Sequence, residues 1–374
     1  VRDLLGEPFV AIVDGRPYPT DSAGFFVTGT RPVLRLRTVE GHTLRLTADH
    51  PVLRVSRWER HGRETVWTKA GALKPGDKIV LHNHRGLARW PGRYTEAEGY
   101  LIGLLIGSGT LELDQAMISV RDSDGHQQAN GGFVMSAGAA GIMRAAEEAA
   151  RSLPHRADFR GWQAVLERRG DDRMVVGAVR ELAMSLGLRP GQTRLTPEIE
   201  RASSDFYRGV LRGLFDIDGS VQGAQAKGVS VRLTQTDLGN LETLQRMLLR
   251  LGVVSVIERE RRAAGRRELP NGKGGTAIVA TQPLYALVIS GDNLMRFAEC
   301  IGFADSEKAS RLNGALGSCR REVNRERFVA TLAALEDEGV EEVYDVRVSE
   351  VHAFDANGLY VHNCAEQPLP PYGC

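Results

Sequence analysis

The chain has 374 residues, 42% hydrophobic and 25% charged, the proportions of an ordinary folded protein with room for two or more domains. Its 48 Lys and Arg against 47 Asp and Glu leave a net charge of +1, which excludes a uniformly basic nucleic-acid binder but not a local basic face. No apolar run approaches the roughly 20 residues that span a bilayer, and no basic and apolar leader opens the chain, so a cytoplasmic protein without membrane contact is expected.

Residues 1 to about 90 read as β-rich. Phe9-Val10-Ala11-Ile12-Val13 runs into the turn Asp14-Gly15, and Val33 to Val39 alternates apolar and polar before Glu40-Gly41 turns into Thr43 to Thr47. Lys69 to Leu81 continues in the same style through Pro75-Gly76. Around Pro91-Gly92 the pattern changes. Helical periodicity covers Glu96 to Ile106, Ala137 to Leu153, Met174 to Leu186 and Asn240 to Leu251. After about residue 322 one more helix is expected over Arg325 to Glu338, and β alternation then returns in Val343 to Val348 and His352 to Tyr360. Two β-rich ends thus flank a helical insert, one domain containing another. Ala365 to Cys374, with three prolines and no strand or helix pattern, reads as the start of another protein.

The four cysteines, Cys300, Cys319, Cys364 and Cys374, have neither disulfide-framework nor zinc-ligand spacing, which suits a reducing compartment. Cys300 lies in an apolar helical context and reads as core. Arg259, Arg261, Arg262, Arg266 and Arg267 form a local basic concentration, equally readable as a solvated hairpin tip.

Chemistry concentrates at Val361-His362-Asn363-Cys364. An Asn side chain can attack its own carbonyl carbon and cleave the following peptide bond as a succinimide. His362 could protonate the departing amine, and Cys364 would emerge as a free amino thiol. Near the other end, Thr47-Ala48-Asp49-His50 places a hydroxyl and an imidazole where both can reach one peptide bond. Taken alone, that turn is an ordinary capped one with a surface His50.

Together, "VYDVRVSEVHAFDANGLYVHNC" resembles the carboxy-terminal splicing motifs of inteins, "LTADHPVLR" their second amino-terminal motif, and "PFVAIVDG" the strand that opens them. The resemblance implies an all-β horseshoe (Hint) fold, shared with hedgehog-type autoprocessing domains. It also implies self-excision with ligation of the flanking exteins. In that chemistry a thiol at the first position converts an amide to a thioester, Cys364 takes over the acyl group, Asn363 cyclises, and an S-to-N shift restores a peptide bond. Asp345 would tune the Cys364 thiol, and His352 and His362 would serve the proton transfers around Asn363. Val1 cannot form a thioester, so the nucleophile is expected one position before it, with direct attack by Cys364 on the upstream amide as the less favoured alternative. "CAEQPLPPYGC" resembles a stretch of adenosylcobalamin-dependent (class II) ribonucleotide reductases, which would make residues 364–374 a fragment of the carboxy-terminal extein.

Inside the insert, Leu101 to Gly109 and Leu211 to Gly219 repeat one pattern 110 residues apart: an apolar helix, a small residue at its third position and a Gly past its end, suited to a left-handed cap. Packed together, such helices would bring positions 108 and 218 side by side, where paired carboxylates could hold Mg²⁺ for phosphodiester cleavage. These segments, with "RLTPEI" (Arg194 to Ile199) and "TQTDLGNLETLQRMLLRLGVVSVI" (Thr234 to Ile257), resemble LAGLIDADG homing endonucleases. Ser108 stands where the first acidic residue of that family is expected, Asp218 keeps the second, and Arg194 stands where Lys is common.

The expected organisation is a mixed fold: an all-β splicing domain over 1–92 and 322–363, interrupted by an α+β LAGLIDADG domain over 95–320. Its expected function is autocatalytic splicing with a DNA endonuclease insert that Ser108 leaves impaired. The alternative is primarily a site-specific DNA endonuclease released by splicing. A hedgehog-like domain would need neither Asn363 nor the insert, and a metabolic enzyme finds support only in the short tail. Splicing calls for no cofactor and the insert for Mg²⁺. The expected partners are exteins in cis and duplex DNA, with the chain a monomer.

Overall fold

A computed structural model describes the chain except for His61, Ala88, Ser123, 128–132, 155–158, 166–170, Thr193, 225–227, 263–264, 271–275, 318–324, Ser349 and 364–374, with backbone alone described over most of 260–281. It divides into two compact units. The first comprises Val1–Ala88, Leu248–Val256 and Arg327–Cys374, the second Arg89–Met247 and Ile257–Glu326.

The first unit is a nine-stranded sheet of β1 (Val10–Val13), β2 (Arg16–Thr38), β3 (Thr43–Leu46), β4 (Pro51–Trp58), β5 (Arg63–Lys69), β6 (Lys78–Val80), β7 (Val329–Val348), β8 (Ala353–Ala356) and β9 (Leu359–His362). Pairing runs β1-β2-β7-β6-β4-β9-β8, with β3 beside β2 and β5 beside β4. Because β8 also lies against β1, the path nearly closes on itself. Two-residue loops end β1 and β8: Asp14-Gly15 and Asn357-Gly358 both have positive φ at each position, the left-handed pair that matches strand twist in a tight hairpin.

The long antiparallel ribbon of β2 and β7 is the backbone of the unit. At 23 and 20 residues these strands far exceed the usual length, and register shifts at four places along β7 bend them. This corrects the helix expected over Arg325 to Glu338. Ala330, Leu332, Ala333, Ala334, Leu335 and Glu336 are strong helix formers. Their alternation instead places Ala330 and Leu332 in the core with Leu36, Val52, Ile79 and Val361, and pairing with β2 overrides propensity. A smaller apolar cluster gathers Ala11, Phe25, Val346 and Val348.

The second unit holds helices α1 (Glu96–Ser108), α2 (Ala137–Arg151), α3 (Gly177–Ser185), α4 (Pro197–Glu200), α5 (Ser204–Asp218), α6 (Leu238–Arg250, whose last turn counts with the first unit), α7 (Asn293–Cys300) and α8 (Ser306–Gly317). Two four-stranded sheets accompany them, built on 110–121 with 163–175 and on 219–235 with 256–262 and 284–289. The helix expected from Met174 begins later, because Asp171–Val175 pairs as a strand with Ala116–Arg121.

α1 and α5 are the spine of this unit. Thr95 and Glu98 form a reciprocal capping box at the start of α1, and Ser203 caps α5. Glycines set their approach: a Cβ at Gly99 would strike the Phe206 carbonyl, at Gly103 the Val210 carbonyl, and at Gly209 the Glu96 carbonyl. The glycines that follow the two helices are not left-handed caps. Gly109 has φ −92° and Gly219 φ −83°, both with extended ψ. They are required sterically, because a Cβ would meet the preceding turn at Leu105 or Phe215.

Candidate functional site

In the first unit the turn between β3 and β4 is closed by the His50 N–H donating to the Thr47 carbonyl at 3.1 Å, while Ala70 N–H donates to the His50 carbonyl at 2.9 Å. The Thr47 hydroxyl is engaged by Asp49, a residue the sequence reading passed over. That hydrogen bond, with the charge of Arg31 3.5 Å away, holds the Asp49 carboxyl below its usual range. Burial pushes the His50 imidazole down, with the His362 charge adding and Asp345 and Asp49 opposing, so His50 is held neutral and able to accept a proton.

Asn363 follows β9 and is 4% exposed. Its Nδ2 donates to the Val348 carbonyl at 3.1 Å and its N–H to the His352 carbonyl at 3.2 Å. Its Oδ1 is buried without a hydrogen-bond partner among the described residues. His362 Nδ1 stands 2.5 Å from the main-chain oxygen of Asn363, the carbonyl that a succinimide would close upon. Alternation along β9 produces this arrangement, with Leu359 and Val361 in the core and Tyr360 and His362 on the opposite face.

One cavity of about 970 Å³ is lined by Val1, Thr47, His50, Asp345, His362 and Asn363. Asp345 lies on β7, where its Oδ1 accepts from the Val346 N–H at 2.7 Å. His352 does not line the cavity. It is exposed, with φ +50°, and its ring lies parallel to that of His362 at 6.4 Å. Cys364 lies outside the described residues, as do Cys319 and Cys374.

A buried group on the same sheet has no counterpart in the sequence reading. His84 Nε2 meets Asp355 Oδ2 at 2.8 Å, and the Nδ1 atoms of His82 and His84 accept from the Asp14 and Gly15 N–H groups at 3.4 and 3.3 Å. Against burial, the His84 hydrogen bond and the charges of His82, His84 and Arg250 keep the Asp355 carboxyl well below the carboxylate range. The group pins the β1–β2 turn beside the β8–β9 hairpin. Its only trace in the sequence is His-x-His after a strand.

In the second unit, the ends of α1 and α5 differ chemically. Asp218 Oδ2 accepts from Gln235 Nε2 at 2.9 Å, and burial raises its pKa. Gln235 Oε1 is buried and has no hydrogen-bond partner among the described residues. The Ser108 hydroxyl instead donates to the Ser119 carbonyl at 2.5 Å and is spent on backbone. Lys308, also missed from sequence, sends its ammonium to the Phe215 and Asp216 carbonyls at the end of α5, and burial lowers its pKa. Asp216 is a structural acceptor, taking the Tyr100 hydroxyl at 2.9 Å and the Ala304 and Asp305 N–H groups at 3.0 Å each.

Among the described residues no three His, Cys, Asp or Glu side chains converge to hold a metal. Mg²⁺ needs no such cage, since it takes one or two carboxylates and completes its shell with water and phosphate oxygens. The Asp218 carboxylate and Gln235 Oε1 are hard oxygen donors that fit it. The Ser108 end offers no equivalent. Arg194 pairs with Asp237 at 2.8 Å and Arg259 with Glu242 at 3.4 Å, while the side chains of Arg261, Arg262, Arg266 and Arg267 lie outside the described residues. Cys300 is half-buried at the end of α7, and burial pushes its thiol up.

Residues 205–302 match the LAGLIDADG-like domain family. Over 343 residues the chain is 24% identical to the ribonucleoside-diphosphate reductase NrdEB subunit alpha of Bacillus subtilis, covering 89% of this chain and 30% of that protein. It is 34% identical over 165 residues to a DNA polymerase of Thermococcus litoralis, covering 42% of this chain and 9% of the polymerase. The chain thus spans under a third of the length of these curated relatives. Among solved structures, the homing endonuclease I-DmoI in complex with DNA and Mn aligns with 55% of this chain and 96% of its own at 16% identity and a TM-score of 0.32. An Ssp DnaB mini-intein variant aligns with 97% of this chain and 87% of its own at 12% identity and a TM-score of 0.27. No described helix is long and apolar enough to cross a membrane.

Proposed function

We propose that the chain is an intein: residues 1–92 and 322–363 excise themselves and join the flanking segments, and residues 95–320 form a LAGLIDADG insert. The observation that carries this reading is His362 Nδ1 at 2.5 Å from the Asn363 carbonyl oxygen, beside a buried Asn amide in a cavity shared with Val1 and His50. A donor at that oxygen stabilises the charge that develops when the carbonyl carbon is attacked. In the terminal step the Asn363 Nδ2–C bond forms and the C–N bond to Cys364 breaks. One Nδ2 proton ends on the departing amine, leaving a succinimide and a free amino terminus at Cys364. In the earlier steps a thiol preceding Val1 takes the upstream acyl group, His50 serves the proton transfer there, and Cys364, tuned by Asp345, accepts the acyl group.

Mass spectrometry of the incubated chain tests the reading. The 364–374 peptide should be released, and Asn363→Ala should abolish its release, whereas persistence in that variant rules out succinimide chemistry. His362→Ala should slow release by a factor on the order of 10².

A second activity for the insert, site-specific cleavage of duplex DNA, is favoured by the Asp218–Gln235 pair and by the family match over 205–302. Mg²⁺ bound there would activate water and neutralise phosphate charge. Asp218 would hold it, Gln235 would orient that carboxylate, and Ser108 leaves the other centre without a charge.

A further inference from the structure

We propose that Trp67 is the positioning residue that holds the His362 imidazole toward the Asn363 carbonyl, a role that rests on the cyclisation reading above. The torsion that rotates a His ring is broad and roughly two-fold, so rotamer preference alone does not aim Nδ1 at its target. A ligating or catalytic His is commonly fixed by a hydrogen bond at its other nitrogen. Here the described residues give His362 Nε2 no such partner, and Nδ1 faces Asn363. Packing must therefore set the ring.

The Trp67 indole does so. Its centroid lies 4.9 Å from that of His362 with the planes at 83°, an edge-to-face contact. Trp67 pairs with Leu53 across β5 and β4, and β4 in turn pairs with β9 at Val52 and Val361, so the ladder delivers the indole to the His362 face. The indole is backed by Tyr360, 6.0 Å away on the same face of β9. Tyr360 stacks at 4.1 Å on His82, whose two ring nitrogens are engaged by the Asp14 N–H and the Phe354 carbonyl. Four rings thus form a column whose far end is bolted to backbone and whose near end is His362. His352 stands parallel to His362 but farther off, exposed, and constrains it less.

The test is the rate of 364–374 release from the full chain. Trp67→Leu should slow it roughly three- to tenfold, the loss expected from one edge-to-face contact, and Trp67→Phe should restore most of the rate. In a His362→Ala background, Trp67→Leu should change nothing further, because Trp67 acts only through that imidazole. Tyr360→Leu, which leaves the indole but removes its backing, should give a smaller slowing with the same dependence on His362, and carries the test if Trp67→Leu does not fold. Unchanged release in both variants, or equal slowing without His362, overturns the role. Absence of release from the unaltered chain sinks the cyclisation reading and this role with it, whereas release indifferent to Trp67 overturns the role alone.

Discussion

The contact between α1 and α5 makes the same substitution have opposite signs at two helical positions. At Gly103, an added Cβ would lie on the Val210 carbonyl oxygen and 3.1 Å from the Gly213 Cα, all backbone atoms that no rotamer change can move aside. Restoring ordinary carbon contacts of about 3.5–4 Å needs the helices to separate by roughly 1 Å. Overpacking of this kind costs about 1–3 kcal/mol, more than the ~1 kcal/mol by which Ala exceeds Gly in helix propensity. Gly103→Ala should therefore destabilise the second unit by up to about 2 kcal/mol, a fall in Tm of up to roughly 4–8 °C for a unit of this size. Gly314, in α8, is exposed and an added Cβ would meet nothing within 4 Å. There an added Cβ meets no clash and propensity decides the sign, so Gly314→Ala should stabilise by about 0.5–1 kcal/mol. Thermal melts of both variants check the pair. A Gly103→Ala chain that melts at or above the unaltered one would refute the claim that glycine sets the interhelical distance.

Burial pushes the Asp216 carboxyl up to about 6 against the hydrogen bonds of Asp305, Tyr100 and Ala304. With an unfolded value of about 3.9, the folded state keeps a proton that the unfolded state has lost between about pH 4 and 6, so stability falls as pH rises through that window by up to about 3 kcal/mol. Urea midpoints of the unaltered chain and Asp216→Asn over pH 4–7 should differ in this slope, and parallel curves would argue against it. Ser108→Asp should raise Mn²⁺ binding in titration calorimetry and convert strand nicking of duplex DNA into double-strand cutting. Efficient cutting of both strands by the unaltered chain would show that Ser108 does not limit the insert.

What the sequence made legible was local. Asp14-Gly15 announces a tight hairpin because its left-handed backbone is a property of those residues alone, whereas Asn357-Gly358 was read through: the single strand expected over His352 to Tyr360 is two strands paired across that turn. The paired glycine helices were visible because small residues recur at fixed spacing. The segment 329–338 was not, because its Ala, Leu and Glu residues favour helix and only pairing with a strand some 300 residues earlier makes it β. At the candidate site around Asn363 the residues proposed to react could be named one by one. The indole beside His362, the engagement of Thr47 by Asp49 and the ammonium of Lys308 beside the end of α5 could not, since each depends on packing between distant segments.

Among the described residues, two of the buried side-chain polar atoms without a hydrogen-bond partner lie at the candidate centres, while other such atoms, Arg37 Nε for one, lie away from them. An unsatisfied buried acceptor costs about 1–3 kcal/mol, so each one asks for a physical reason. Asn363 Oδ1 is such an atom, on the side chain whose nitrogen would attack its own carbonyl. Gln235 Oε1 is another, on the amide that donates to Asp218. Neither could be relieved by a rotamer that kept the opposite end in place, because Nδ2 of Asn363 is tied to Val348 and Nε2 of Gln235 to Asp218. Each amide is therefore oriented by its donor end. Under the proposed cyclisation, a proton donor at the Asn363 side-chain oxygen would meet the open acceptor as Nδ2 changes its bonding. Under the proposed cleavage, a cation or a water beside Asp218 would meet that of Gln235. Ser108, whose hydroxyl is satisfied by the Ser119 carbonyl, has no such opening, which is why chemistry at the paired helices should be confined to the α5 end.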